Sequence, residues 1–228
     1  MRPIQNAGGH VGLTARSYPI AYNTAIKEGQ VVKLSAGLVV SADAAQTGAI
    51  LGIAAENHPG AADALNPRAN GTEILVYDNP ELIFECPAPV IAAASSGNTA
   101  TVITPKSGDV DSTSADDSFN NSVLVLIAKG TGSTNTDPIG KRITITDYAK
   151  TNTVITKASG GTACENDKFE VYPALGAAVG GIASLDSTNK SALVVSTKGA
   201  TKIKCVGHDY DRHMIRLMAV EHSLGVED

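Results

Sequence analysis

Glu28-Gly29-Gln30-Val31-Val32-Lys33-Leu34-Ser35-Ala36-Gly37-Leu38-Val39-Val40 is the stretch that decides the fold. Aliphatic and β-branched residues run into a short Ser-Ala-Gly turn and return, which predicts a β-hairpin with a Gly-containing loop. Ala49-Ile50-Leu51-Gly52-Ile53-Ala54 follows as a buried strand, and Gly52 inside it marks a bulge or a close backbone approach. Between the next breaks lie two more strands, Glu73–Tyr77 and Glu81–Cys86, joined through Asp78-Asn79-Pro80. In the second, Leu82, Phe84 and Cys86 alternate with Glu81, Ile83 and Glu85, the pattern of an antiparallel strand with one face buried and one solvated. The loop from His58 to Pro67 has room for one helical turn at Ala61–Leu65, and Asn70-Gly71 reads as a hairpin turn.

Outward from this core the β reading continues. Strands are expected at Ala100–Ile103, Val123–Ala128, Arg142–Asp147, Val154–Lys157, Lys168–Tyr172, Leu193–Ser196, Thr201–Val206 and Met214–Val220. Gly, Asn, Asp or Ser stands at almost every junction, and no helical period intervenes. The expected architecture is mainly β, an antiparallel barrel- or sandwich-like body with an extended N-terminal arm. Four segments follow: an arm over 1–24, a β-domain over 25–92, an exposed polar loop or seam over 93–122, and a second β-region over 123–228 packing on the first. The arm holds Gly8, Gly9, Gly12, Pro3 and Pro19 without apolar periodicity. Tyr18 and Tyr22 on it point to docking, either on the protein's own body or on a neighbour.

Composition narrows the function. Apolar residues are 43% of the chain but aromatics only 4%, and there is no Trp. A net charge of −5 with scattered Lys and Arg argues against direct nucleic-acid binding, which depends on clustered cations. No stretch reaches the ~18 apolar residues of a membrane span. The first residues lack the apolar core of a signal peptide. Cys86, Cys164 and Cys205 are an odd count without a CxxC pair; Cys86 and Cys205, at alternating strand positions, read as buried free thiols of a protein folded in a reducing cytoplasm.

Each candidate for chemistry has a plainer explanation. In His208-Asp209-Tyr210-Asp211-Arg212-His213, a continuous strand would put Asp209, Asp211 and His213 on one face as metal ligands. The same segment lies between two expected strands, where a polar turn with an internal ion pair is the stronger expectation, so no metal is assigned. The acidic stretch from Asp109 has Ser114 and Asn120 where an EF-hand needs Gly and Glu. Phosphate-cradling and nucleophile-elbow motifs are missing. Glu81 and Glu85 read as solvated carboxylates of a strand rather than an acid–base pair. The expectation is a non-enzymatic protein with no catalytic residues and no cofactor.

Tyr18-Pro19-Ile20-Ala21-Tyr22, then Ala25-Ile26-Lys27-Glu28-Gly29-Gln30-Val31, the Gly37-Leu38-Val39-Val40 return and Ile50-Leu51-Gly52-Ile53-Ala54 together resemble small β-domain proteins encoded beside the major capsid protein of tailed bacteriophages. Those proteins have Asp where this chain has Gln30. The Asn166–Pro173 strand before a Gly-rich turn and the short His222-Ser223-Leu224-Gly225 tail extend the resemblance to about half the chain. It implies a capsid decoration, or cement, protein on the virion exterior. Such a protein assembles in the host cytoplasm as a homotrimer and bridges major capsid subunits, with Tyr18, Pro19, Ile20 and Tyr22 as the arm's contact to a neighbouring subunit. The alternatives are a head-fibre base or other host-surface-binding virion protein and, third, a small hydrolase or metal-dependent enzyme built around His208 to His213.

Overall fold

A computed structural model describes residues 2–6, 13–21, 23–42, 49–60, 73–110, 119–149, 152–176, 183–185, 193–195 and 203–219. The first strands are β1 (Arg2–Asn6), β2 (Ala15–Pro19), β3 (Ala25–Ile26), β4 (Val31–Ser35), β5 (Leu38–Ser41), β6 (Ile50–Ala54) and β7 (His58–Pro59). The middle of the chain adds β8 (Glu73–Tyr77), β9 (Leu82–Pro87), β10 (Val90–Ala92), β11 (Val102–Ile103), β12 (Val123–Ala128), β13 (Arg142–Ala149) and β14 (Val154–Lys157). The last are β15 (Lys168–Tyr172), β16 (Ala183–Leu185), β17 (Leu193–Val195), β18 (Ile203–Asp209) and β19 (Met214–Ala219). Among the described residues there is no α-helix.

Three sheets organise the molecule, in the orders β2-β8-β6-β4-β5, β10-β15-β12-β13-β14-β11 and β1-β9-β19-β18; β3–β7 and β16–β17 form separate two-stranded pairs. All ladders between named strands are antiparallel, and the result is sandwich-like rather than a closed barrel. The two larger sheets nevertheless curl. An isolated bridge between Ile20 and Val39 brings the two edges of the five-stranded sheet together, and the Ala21 N–H donates to the Val39 carbonyl at 3.1 Å. In the six-stranded sheet the Ala94 N–H donates to Thr104 O and the Lys106 N–H to Ala92 O, both at 2.8 Å. Pairing edge to edge in this way removes open templates for aggregation.

The hairpin that opened the sequence reading is β4–β5, with Ala36 and Gly37 at φ of 50° and 78°, as a two-residue type I′ turn demands. The β6 strand makes the close approach that Gly52 announced. A Cβ there would lie 1.9 Å from the Tyr77 carbonyl oxygen. Val32 pairs with Gly52 and Lys33 with Ile50, so Leu51 is the extra residue of a bulge. The bulge changes the phase of the strand: Ile50 and Ile53 enter one core, Leu51 and Ala54 another.

Three cores result. Ile20, Ile26, Val32, Val39, Leu51 and Ile74 fill the five-stranded sheet. Ile91, Phe119, Leu124, Ile145 and Phe169 fill the six-stranded one. Between them, the inner face of the four-stranded sheet (Phe84, Cys86, Cys205, Ile215 and Leu217) meets Val31 and Ile53 from one neighbour and Val125 and Tyr172 from the other. Strand β12 serves two cores at once, Leu124 and Leu126 on one side and Val125 on the other.

Two of the expected segments are redrawn. Over its described residues, 1–24 is no free arm: β1 pairs with β9 and β2 with β8, and Ile20 is buried. Its lack of apolar periodicity reflects short strands on two different sheets. The expected exposed polar loop or seam is mixed over 93–110 and 119–122: residues 95–97, 99–101 and 107–108 are exposed, whereas Ala93, Ile103, Val110 and Phe119 are buried in the six-stranded sheet's core. These apolar residues are single ones in a polar background, which is why the segment reads as solvated. The proposed helical turn at 61–65 and the Asn70-Gly71 turn lie outside the described residues.

Candidate functional site

The most connected polar cluster stands on the four-stranded sheet, on the face away from the shared core. Register sets a row across it: Arg2 on β1 opposes Glu85 on β9, Glu85 opposes Arg216 on β19, and Arg216 opposes Gly207 on β18. Gly207 leaves room for the Arg216 stem, which a Cβ there would meet at 3.3 Å. Arg212 reaches in from the β18–β19 turn. The Glu85 carboxylate receives Arg2 Nη2 at 2.9 Å, Arg212 Nη2 at 3.0 Å and Nη1 at 3.2 Å, with Arg216 Nε at 3.5 Å. Asp209 adds a second acceptor, 3.4 Å from Arg216 Nη2 and 3.7 Å from Arg212 Nη1. Glu85 is only 1% exposed, while Arg2, Arg212 and Arg216 keep 58%, 48% and 40% of their side chains in solvent.

Glu85 therefore corrects the sequence reading of a solvated carboxylate. Three guanidinia replace its water, and charge-assisted bonds of this kind make burial of a carboxylate tolerable. Glu81 remains exposed, so the two do not form an acid–base pair. The 208–213 segment behaves as a turn with an internal ion pair. β18 ends at Asp209, which faces Arg212 and Arg216, whereas His213, at φ 57°, turns its Nδ1 to Glu170 Oε2 at 2.9 Å. Strand alternation would have put these ligands together, but the turn separates them. Among the described residues no group of three His, Cys, Asp or Glu is placed to hold a metal.

Behind the turn, His208 has its hydrogen bonding fully assigned. Its Nε2 lies 2.7 Å from the Pro173 carbonyl, which only accepts, so the proton sits on Nε2. Its Nδ1 then accepts from the Tyr210 hydroxyl at 2.9 Å. Burial pushes the imidazole toward its neutral form. Tyr172, His208 and Tyr210 pack edge-on and tilted with centroids 4.6–5.4 Å apart, and the Arg142 guanidinium lies 3.8 Å above the Tyr210 ring. Tyr172 donates its hydroxyl to Glu170 Oε2 at 2.7 Å.

A second polar knot ties the loops of the six-stranded sheet. The Asp167 carboxylate accepts from Gly130 N at 2.9 Å, Asn135 Nδ2 at 2.8 Å and Cys164 N at 3.0 Å. Burial by itself would raise its pKa, but these bonds outweigh it and hold the group low. Lys157, 2% exposed, donates to Ala100 O at 2.7 Å and Gly161 O at 3.2 Å, and burial lowers its pKa against the pull of Asp137. Cys164 receives the Thr134 N–H at 3.3 Å on its sulfur, and its thiol pKa falls through hydrogen bonds from Thr134.

Of the residues proposed as an arm contact, the three that are described, Tyr18, Pro19 and Ile20, pair or pack within the fold. Tyr18 donates its hydroxyl to the buried Asp78, which also faces Arg16 at 3.6 Å. Pro19 is exposed and pairs with Glu73 at the sheet edge. Ile20 is 2% exposed and belongs to a core. Tyr22 lies outside the described residues. The cluster that sequence reasoning missed joins positions 2, 85, 209, 212 and 216. Its one sequence signal is a Glu with Leu82, Phe84 and Cys86 as strand neighbours.

The fold thus defines a mainly β, antiparallel, sandwich-like protein whose most connected polar groups link strands distant in sequence. No protein-family model, no curated protein and no solved structure matches the chain.

Proposed function

We propose that this chain is a structural protein of a tailed-bacteriophage head, a decoration protein that binds the capsid exterior and bridges major capsid subunits, acting as a homotrimer. The resemblance over residues 18–54, 166–173 and 222–225 motivates the reading. The observation that carries it is the tie at Glu85. Four arginine and glutamate side chains from the N-terminal strand, the middle of the chain and the β18–β19 hairpin converge on one sheet, so that strands far apart in sequence are tied in a single body. A clamp works by staying rigid under load, and its chemistry needs no nucleophile, base or cofactor. Repetition over many lattice sites multiplies a modest contact into strong binding.

A host-surface-binding role would want aromatic faces offered to a ligand. In the Tyr172–His208–Tyr210 cluster Tyr172 is buried and Arg142 covers Tyr210, so these rings are spent on one another. The decisive experiment mixes purified protein with capsids that lack it and images the particles by electron microscopy. Regular density at local threefold positions is expected. Bare capsids at saturating protein would sink the reading and turn attention to host-surface ligands.

A further inference from the structure

The middle of the outer face of the four-stranded sheet carries charge of the opposite sign to the chain as a whole. The chain is −5. In the middle of this face Arg2, Arg212, Arg216 and Lys204 stand against two carboxylates, Glu85 and Asp209, while the exposed Glu81 and Asp211 lie at its margins, before β9 and in the β18–β19 turn. Lys204 points this way because its strand neighbours Ile203 and Cys205 point into the shared core, and it pairs with no carboxylate among the described residues. Each guanidinium offers five N–H donors in a fixed fork. Glu85 and Asp209 engage only part of that supply; the buried Arg216 Nε is turned to Glu85 Oε1 at 3.5 Å, so the donors left for a partner are those on the exposed ends of the guanidinia. In register with Lys204 lie Met218 and then Ile83, both partly exposed, so an apolar strip runs beside the cations.

We propose that this face is the docking surface for the shell subunit, and that it receives carboxylates on that subunit's acidic surface; the inference rests on the decoration reading above. Arg2, Arg212, Arg216 and Lys204 take the partner's carboxylates, and Ile83 and Met218 are covered by its apolar atoms. Arg and Met beside apolar neighbours are the composition enriched at protein interfaces. A polyanion such as duplex DNA fits less well. The two resident carboxylates and the negative charge of the remainder repel it, and the apolar strip offers it nothing. Glu85 has a second purpose on this view: it holds three forks in fixed directions, so their ordering cost is met before the partner arrives.

The test measures affinity of the full chain for capsids lacking it, by co-sedimentation at low and high salt. The variants are Lys204→Glu and Arg212→Gln, with Lys27→Glu on the exposed β3–β4 turn as control. Each face variant is expected to bind about tenfold more weakly and the control to bind as wild type does. Wild-type binding should also weaken with salt. Lys204→Gln replaces Lys204→Glu if the latter fails to fold. Wild-type affinity in both face variants overturns the face while leaving decoration standing. A peptide of alternating Glu and Ala, titrated into the same proteins, separates the two ideas. Binding lost in Lys204→Glu upholds a carboxylate-receiving face even if capsids stay bare, and no binding to peptide or capsid discards it. Tight binding of duplex DNA that the face variants lose would overturn the carboxylate assignment.

Discussion

Glu85 is the residue on which the polar architecture turns, and the sign of its contribution depends on what surrounds it. A buried carboxylate without partners is strongly unfavourable, while one with three arginines is tolerated because its lone pairs are satisfied. Substituting Glu85→Gln removes the charge the arginines share. Because those arginines are about half exposed and can rehydrate, the cost should be about 2 kcal/mol rather than the larger loss typical of a fully buried pair. Arg2→Ala leaves two guanidinia in place and should cost less than about 1 kcal/mol. Urea titrations of the two variants check the order, and equal losses would contradict it. Tyr18→Phe should likewise cost about 1 kcal/mol, by stripping a hydrogen bond from the buried Asp78. If Tyr18 served only a neighbour, that substitution would leave the free protein's stability unchanged.

Among the elements, β6 is the one with least tolerance. Its bulge feeds two cores from one strand, and its Gly52 lies under the Tyr77 backbone. A methyl group at Gly52 can be accommodated only by separating β6 from β8. Gly52→Ala should therefore destabilise by at least about 3 kcal/mol, near the upper end of overpacking penalties. Thermal unfolding measures it, and a shift within error would mean the two strands part easily. The β18–β19 hairpin shows the opposite behaviour. Its Val206 bulge, between Cys205 and Gly207, lets the strand run on to Asp209, beyond the Val206 end expected from sequence.

For the whole molecule, the titrating groups predict an alkaline weakness. Burial pushes the Cys86 thiol up to about 12 and Cys205 to about 11. Burial and the Asp78 bond raise Tyr18 to about 12, and burial raises Tyr172 further. The folded state thus keeps protons that the unfolded chain releases near 9.0 for thiols and 10.0 for phenols. Stability is fully present below those unfolded values and declines as pH climbs toward the folded ones. Lys157 works against this, since its folded pKa is lowered and its burial penalty eases as pH rises. Urea titrations from about pH 8 to about pH 11 should show a net fall, with a shallower slope in Cys86→Ala. Chain truncation tests the same integration. Removing residues 1–6 takes away one edge strand and should leave a folded protein, whereas removing 1–24 also takes β2 and the buried Ile20 and should unfold the five-stranded sheet. Circular dichroism of both truncations decides it, and a folded 1–24 deletion would restore the free-arm picture.

Local pattern was enough for the strands that alternate or carry their own turn: the β4–β5 hairpin, β6 with its Gly52, β8, β9, β14 and β15 all stand where their residues placed them. Side-chain period and turn chemistry act over a few residues, so a sequence expresses them directly. Arg2–Asn6 and Ala15–Pro19 each carry a Pro among mostly polar residues, and Val90–Ala92 is only three residues long, so none shows an apolar alternation of its own and each is recognised only by its partner strand. The same holds for the candidate site. Arg2 and Glu85 are 83 positions apart, and Glu85 and Arg212 are 127 apart. Nothing local distinguishes a Glu that water will solvate from one that three arginines will enclose. Sequence alone determined that this chain is mainly β, turn-rich and poor in clustered cations. Only the tertiary structure decided which of its charges are buried, and that its N-terminal segment belongs to the body, because both depend on contacts that the folded sheets create.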